Sequence, residues 1–416
     1  MRIGIFTDAY LPSISGLVTS ELMLKESLEK MGHEVYVVTV NVEELKYKYD
    51  RENKVIYVPG VPTKIYDTRL TTFYNPRAFN QIRKWKLDII HTQTEFSIGT
   101  FGRIVAKQLD IPLVHTYHTM YEDYIYYLTK GYFDKPSKKL IEYLTRFYCD
   151  TTVSELIVPT KKIYNQFKEK YNPEEIINII PTGIDIERFS KDNIDKEEIN
   201  KLIKKYKLED SFVIGSVSRL GKEKDIDKLI IEFSKLIDRI PNIKLLLVGD
   251  GPDKKNLKDL VKSLNISKNV IFVGKVPIEK IQIYYQLMDV FSTFSTTETQ
   301  GLTVLEALAS SKPVVAIKDD SFEGVIKNNE NGYLFARNID FNNYIYKIYS
   351  DKNLYNKLVK GTYITAKENS REAFGQKVYN VYLNSIKNHK KGIEFINELK
   401  DVINTSKIRH NNKKDE

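Results

Sequence analysis

The chain has 416 residues, 42% of them hydrophobic, a length that suits two domains rather than one and an apolar content that excludes disorder over most of it. Its formal charge of +9 is modest and unevenly placed, with 24 Lys and Arg against 22 Asp and Glu in residues 1–180 and 40 against 33 beyond, so no nucleic-acid partner is expected. One cysteine, Cys149, excludes an internal disulfide and fits a reducing compartment.

The N-terminus reads MRIGIFTDAYLPSISG. Its apolar run is short and broken by Asp8, unlike a signal peptide. Nowhere does an apolar run approach the ~20 residues that span a bilayer, so a cytoplasmic protein, soluble or peripheral, is expected. IGIF (3–6) reads as a strand, followed by a Pro/Ser/Gly turn and a helix around Val18–Met31. EVYVVTV (34–40) and KVIYV (54–58) are further strands, and residues 61–86 are poorly periodic. LDIIHTQ (87–93), a helix near Thr100–Leu109 and the buried strand PLVHTY (112–117) follow.

IIPTGIDIERF (179–189) carries the Pro and Gly of a connection. Beyond it, FVIGSVS (212–218), KLLLVGD (244–250), VIFVG (270–274), VFSTFS (290–295) and PVVAI (313–317) each stand beside a helical pattern. Short apolar runs alternating with amphipathic helices mark an α/β chain with parallel sheets. Two doubly wound domains are expected, ligands binding beyond the strand ends. Their expected bounds are residues 1–180 and 181–370. A helix (371–390) packing back toward the first domain and a polar, basic tail (391–416) complete the chain.

Three stretches carry chemistry. In SVSRLGKEKDID (216–227) a strand delivers Arg219 and Lys224 to a turn that opens a helix, which suits a diphosphate. Alone, such a pair is more often ordinary surface charge. LLLVGDGPDKKNL (245–257) places Gly249 and Gly251 for close backbone approach, with Asp250 and Asp253 available as caps. In FSTFSTTETQGLTVLEALA (291–309) a polar turn holds Glu298, and Glu306 falls inside an apolar helical run. Helix-dipole favour accounts for early acidic residues but poorly for Glu306, since a carboxylate facing a core without partners is costly. Both can accept hydrogen bonds from ligand hydroxyls.

Together, Arg219 and Lys224, GDGP and ETQGLTVLE resemble the C-terminal half of glycosyltransferase family 4, whose Glu-x₇-Glu falls here on Glu298 and Glu306. FTDAYLPSISG resembles the family's acceptor-side loop, with Ser15–Gly16 where two glycines are common, and HTYHTMYEDY the segment with its active-site histidine. The resemblance covers roughly residues 1–390. It implies a GT-B fold, two Rossmann-like parallel-sheet domains facing a deep cleft. It also implies that Arg219 and Lys224 hold the nucleotide diphosphate and that His118 lies beside the donor sugar. Glu298 and the backbone of Gln300, Gly301 and Leu302 would contact that sugar, Glu306 the ribose, and Gly16 and Gly249 would line the nucleotide-sugar site. His91 and His115 read as core residues, Asp8 as facing the cleft or capping its turn, and Asp319–Asp320 as a polar loop. No carboxylate cluster calls for a divalent metal.

The resemblance further implies retention of anomeric configuration. A covalent intermediate on paired carboxylates is one route, but Glu298 and Glu306 read as hydroxyl binders. The preferred route has the acceptor attack from the departing diphosphate's own face.

For the acceptor, KIYDTRLTTFYNPRAFNQIRKWK (64–86) has six Lys and Arg against one Asp, with Phe73, Tyr74, Phe79 and Trp85 interleaved. Such a stretch can lie on an anionic bilayer through Lys64, Arg69, Arg77, Arg83, Lys84, Trp85 and Lys86. The residues equally fit an ordinary helix with Trp inward and Lys outward. YIYYLTKGYFDKPSKKLIEYLTRFYC (124–149) repeats the mixture. With TYHTMYEDY and ETQGLTVLEALA, the region resembles the bacterial diacylglycerol glucosyltransferases. Expected partners are therefore UDP-glucose, diacylglycerol and anionic membrane lipids at the inner face of the cell membrane. The alternatives are phosphatidylinositol or a soluble sugar as acceptor, or a non-catalytic nucleotide-sugar or membrane-binding module. A dehydrogenase fits worse, as no GxGxxG follows the first strand.

Overall fold

A computed structural model describes residues 1–13, 15–62, 69–118, 153–170, 176–298 and 300–390. The chain divides into two compact units, one of Met1–Val158, Gln166–Ile180 and the chain from Gly375, the other of Pro159–Asn165 and Pro181–Phe374.

The first unit is built on β1 (Arg2–Phe6), β2 (Glu34–Asn41), β3 (Lys48–Asp50), β4 (Val55–Pro59), β7 (Ile89–Thr92), β8 (Leu113–Thr116), β9 (Glu155–Val158) and β10 (Ile176–Ile179), with β5 (Val61–Pro62) and β6 (Arg69–Leu70) forming a separate two-stranded ladder. The order in the sheet is β10-β9-β8-β7-β1-β2-β4-β3. Only edge strand β3 runs antiparallel. β-Branched runs such as EVYVVTVN are buried along almost their whole length, as expected where helices cover both faces of a parallel sheet. The chain leaves β1 toward β2 on one side and returns through β7 on the other, which makes the loops after β1 and β7 a topological switch point.

Asp8 sits at that switch and caps a neighbouring helix rather than its own turn. Its Oδ1 accepts from Ser97 Oγ at 2.6 Å and from the Ile98 amide at 2.9 Å, at the start of helix Ser97–Leu109. Its Oδ2 accepts from Thr94 Oγ1 at 2.6 Å. Ser15 caps helix Gly16–Lys30 by accepting from the Val18 amide.

Trp85 corrects the membrane reading. Residues 76–85 form a helix with Asn75 as N-cap and Pro76 in its first turn, and Ala78, Ile82 and Trp85 face the core. Trp85 is 5% exposed, stacks on Tyr36 at 4.6 Å and donates its Nε1–H to the Tyr49 hydroxyl. The indole is thus spent on the fold. Arg77, Arg83, Lys84 and Lys86 remain exposed on the outer face, beside exposed Phe73 and Tyr74. Arg69 is half-buried, its guanidinium donating to the Gly60 carbonyl. Lys64, Cys149 and the stretch 124–149 lie outside the described residues.

The second unit has β11 (Phe212–Val217), β12 (Ile243–Val248), β13 (Val270–Gly274), β14 (Val290–Thr293), β15 (Val314–Ile317) and β16 (Gly332–Phe335), all parallel, in the order β13-β12-β11-β14-β15-β16. Successive residues of β12 alternate between two cores: Leu245 and Leu247 pack with Phe233 and Phe294, Leu246 and Val248 with Phe291 and Leu308. The sheet is therefore buried on both faces. Its switch point falls between β11 and β14, so the loops that follow those strands meet.

Candidate donor site and histidine network

Those two loops carry the donor-side candidates. After β11 the chain runs through Arg219 into the short turn Lys222–Lys224, and helix Ile226–Ser234 begins after Asp225. After β14 the polar turn reaches Glu298, and helix Leu302–Ala309 begins at Gly301. The Lys224 ammonium donates to Glu298 Oε1 at 2.6 Å, and Thr297 Oγ1 donates to the Glu223 carbonyl at 3.2 Å. Arg219 shares the loop but not the pair; its side chain is 63% exposed, with Glu223 at 3.9 Å.

Gly301 takes a left-handed conformation, φ 62°, and as a glycine brings no capping side chain to the helix it opens. That leaves an amide-rich, positive helix end next to Glu298. Gln300 is tethered from the other side, with Thr182 Oγ1 donating to its Oε1 at 2.8 Å. Inside the helix, Glu306 accepts a 2.6 Å hydrogen bond from the Tyr285 hydroxyl. Burial pushes the Glu306 carboxyl up to about 6, opposed by that hydrogen bond and then by the Arg188 charge. Tyr285 and Thr182 carried no signal in the sequence, because each reaches its partner through folding alone.

Gly249 lies at φ 135°, and a Cβ there would stand 1.9 Å from the Ser218 carbonyl oxygen. The close approach therefore serves the β11 loop, which it locks against β12. Asp250 binds the Gly251 amide and Lys254, whereas Asp253 makes no side-chain cap and accepts instead from Asn256. Asp319 is more than a polar loop: it pairs with Lys162 and accepts from the Ser321 amide and hydroxyl.

Gly16 and His118 belong to the first unit. Gly16 is the first residue of its helix. His118, 7% exposed, follows β8, and its Nε2 is 2.6 Å from Gln93 Oε1. His91 and His115 are fully buried, as their strand pattern suggests, yet both are hydrogen-bonded rather than merely packed. His91 meets Thr116 Oγ1 and the Tyr382 hydroxyl, each at 2.7 Å; His115 meets Thr92 Oγ1 at 2.8 Å and Glu95 Oε1 at 3.2 Å. Burial, reinforced by His115, lowers His118 to about 3 and holds His91 well below its usual range. The ring of His118 is thus neutral at physiological pH. Gln93, Glu95 and Tyr382 were not foreseen; the polar run HTQTE directly after an apolar strand was the available signal.

Among the described residues, no group of three or more His, Cys, Asp and Glu is arranged to hold a metal ion, and no helix is long and apolar enough to cross a membrane.

Solved structures match this architecture over nearly the whole chain. Anabaena Alr3699/HepE in complex with UDP superposes with a TM-score of 0.69 at 18% identity, covering 92% of this chain and 99% of that one. A glycosyltransferase from Rickettsia africae gives 0.70 at 18%, covering 93% and 98%. The fold is GT-B. Residues 14–188 match the family described as Glycosyltransferase Family 4, and 198–365 that described as Glycosyl transferases group 1. The alpha-monoglucosyldiacylglycerol synthase of Acholeplasma laidlawii is 39% identical over 402 residues, 94% of this chain and 99% of that protein. The protein of the same name from Streptococcus pneumoniae is 35% identical over 394 residues, 93% and 86%. The chain belongs to glycosyltransferase family 4.

Proposed function

We propose that this enzyme transfers glucose from UDP-glucose to the 3-hydroxyl of 1,2-diacylglycerol, retaining the α configuration, as a peripheral protein on the inner face of the cell membrane. The observation that carries the reading is the 39% identity to an alpha-monoglucosyldiacylglycerol synthase across almost the full length of both chains. The meeting of Lys224 with Glu298 beside a helix N-terminus opened by Gly301 supports the donor assignment, as does the UDP bound in a solved neighbour.

In this reading Lys224, Arg219 and the amides at Gly301 and Leu302 hold the diphosphate. Glu298 and Gln300 bind hydroxyls of the transferred sugar, with His118 beside it. Glu306 binds the ribose, and Gly16 and Gly249 shape the backbone of the nucleotide-sugar site. Binding of the diphosphate requires Lys224 to exchange Glu298 for phosphate oxygens, which releases Glu298 for the sugar. The acceptor hydroxyl approaches the anomeric carbon from the face the diphosphate leaves. A carbon–oxygen bond to glycerol forms, the bond to the β-phosphate oxygen breaks, and that oxygen takes the hydroxyl proton as UDP departs. Lys224 and the helix end stabilise the charge that develops there, a donor whose removal costs ~3–4 kcal/mol in comparable sites.

The test is one panel of radiolabelled UDP-sugars with diacylglycerol in mixed micelles, run beside phosphatidylinositol and soluble sugar acceptors. Glucolipid and UDP in equal amounts are expected from wild type, and a ~10²–10³-fold lower turnover from Lys224→Ala with unchanged melting. Transfer to a soluble acceptor at the expense of diacylglycerol would overturn the acceptor, and undiminished turnover in Lys224→Ala would overturn the donor site.

A further inference from the structure

The histidine network runs in one direction. Tyr382, from the helix over residues 371–390, is fully buried, and among the described residues its hydroxyl meets only His91 Nδ1, so its proton finds an acceptor only by being donated there. It donates to His91 Nδ1, 2.7 Å away. An accepting Nδ1 leaves the His91 proton on Nε2, where it donates to Thr116 Oγ1 at 2.7 Å. The second neighbour of His91 Nδ1 is the Gln93 side-chain nitrogen at 3.2 Å. A nitrogen that accepts is met by an amide N–H, so the bonds themselves orient Gln93 with its carbonyl toward His118. That carbonyl takes the His118 Nε2–H at 2.6 Å. Each donor in the series finds an acceptor, and reversing the amide would break the match at His91.

We propose that Gln93 is a positioning residue for His118, and that with His91 and the Tyr382 hydroxyl it fixes the His118 ring in the Nε2–H tautomer. The inference deepens, and rests on, the reading that places His118 beside the donor sugar. Glutamine suits the task because it accepts one hydrogen bond without bringing charge; a carboxylate in its place would favour imidazolium. Both Gln93 and His118 are buried, at 2% and 7% exposure, so water does not supply an alternative partner cheaply. Among the described residues, the titratable groups coupled to the ring are His115 from β8 and His91 from β7, while Glu95 bonds to His115 and Tyr382 to His91. Asp8, after β1, is engaged with Thr94 and Ser97. The tautomer makes Nδ1 the acceptor nitrogen of His118, the one suited to a sugar hydroxyl.

The test uses the full chain. Long-range ¹H–¹⁵N spectra of the histidine rings, with His118 assigned by its loss in His118→Ala, are recorded for wild type, Gln93→Met and Gln93→Glu between about pH 5 and 8. The pH profile of kcat/KM is measured on the same proteins. Wild type should show His118 as Nε2–H throughout, without titrating. Gln93→Met should give mixed tautomers and a kcat lower by ~10-fold at nearly unchanged KM for UDP-glucose. Gln93→Glu should bring the His118 titration into the window and add an acid limb to the profile, with activity near pH 6 reduced ~10-fold relative to pH 8. Tyr382→Phe should shift the tautomer spectra in the same direction as Gln93→Met, which a purely packing role for that helix would not do. Wild-type spectra and pH profiles in the Gln93 variants would overturn the proposal. Full turnover in His118→Ala would instead remove the active-site reading of His118, while the spectra still decide whether Gln93 sets its tautomer.

Discussion

Glu306 is a carboxylate in an apolar helix, and its burial has two opposite consequences. Its native pKa of about 6 lies above the ordinary 4.5. Folding therefore favours its protonated form, a contribution fully present below about pH 4.5 and lost as pH rises through about 6. At neutral pH the buried charge costs stability on the order of 1 kcal/mol. Glu306→Gln keeps an acceptor for Tyr285 and removes that cost. It should melt higher than wild type at pH 7, equal it near pH 4.5, and bind UDP ~10-fold more weakly if the carboxylate holds ribose. Calorimetry at the two pH values with UDP titrations checks this; an equal gain at both would show that charge burial is not the cause. Glu298, Glu306 and Lys224 were legible because their spacing and neighbours are local. Tyr285, Thr182 and Gln93 were not, since each finds its partner across the fold, and Tyr382 reaches His91 over 291 residues of chain.

At the scale of the element, helix Leu302–Ala309 starts from an N-cap residue in a left-handed conformation that makes no side-chain cap bond. Gly301 makes this possible: it sits at φ 62°, and an added Cβ would press on the Phe322 ring at 3.1 Å. Gly301→Ala combines left-handed strain with that contact, about 1–2 kcal/mol in all. The melting temperature should fall by a few degrees and UDP affinity by ~10-fold, since the amides are displaced. Fluorescence melting and isothermal titration read both, and unchanged UDP binding would exclude this helix end from the site. Strands announced by long apolar runs were read to within a residue or two, as EVYVVTV (34–40) became Glu34–Asn41. Strands β9, β10 and β16 were missed, whereas β7, β8, β14 and β15, equally short, were read, so length by itself did not decide which strands were legible. Helix 76–85 lies in a stretch read as poorly periodic, yet the alternative of an ordinary helix with Trp inward and Lys outward is the one found, with Asn75–Pro76 and the apolar spacing of Ala78, Ile82 and Trp85 as its signals.

For the molecule as a whole, the proposed lipid acceptor raises the question of how the enzyme would reach a membrane. With Trp85 inside the core, any contact of the outer face of helix Pro76–Trp85 with a membrane is electrostatic, through Arg77, Arg83, Lys84 and Lys86, assisted by exposed Phe73 and Tyr74. Each such cation contributes ~1 kcal/mol at an anionic surface, within a Debye length of ~10 Å at ~0.1 M salt. Replacing the four by Gln should lower association with vesicles containing phosphatidylglycerol at least ~10-fold, leaving UDP binding intact. Raising salt to ~0.5 M should act in the same direction on wild type in sedimentation assays. Salt-insensitive binding, or binding unaffected by the four substitutions, would assign the membrane contact elsewhere.

Sequence alone determined the α/β class, the parallel character of both sheets and the candidate residues in the loops after β11 and β14. Those features depend on short-range patterns: buried β-branched runs, glycine turns and carboxylates set in otherwise apolar helices. Tertiary structure decided which of them meet. Strand order places the β11 and β14 loops side by side and so joins Lys224 to Glu298, turns Trp85 inward, and threads a directional hydrogen-bond series beneath His118. The physical reason is that periodicity reports which face of an element is apolar, whereas partnership between polar groups depends on which elements the sheet order makes neighbours.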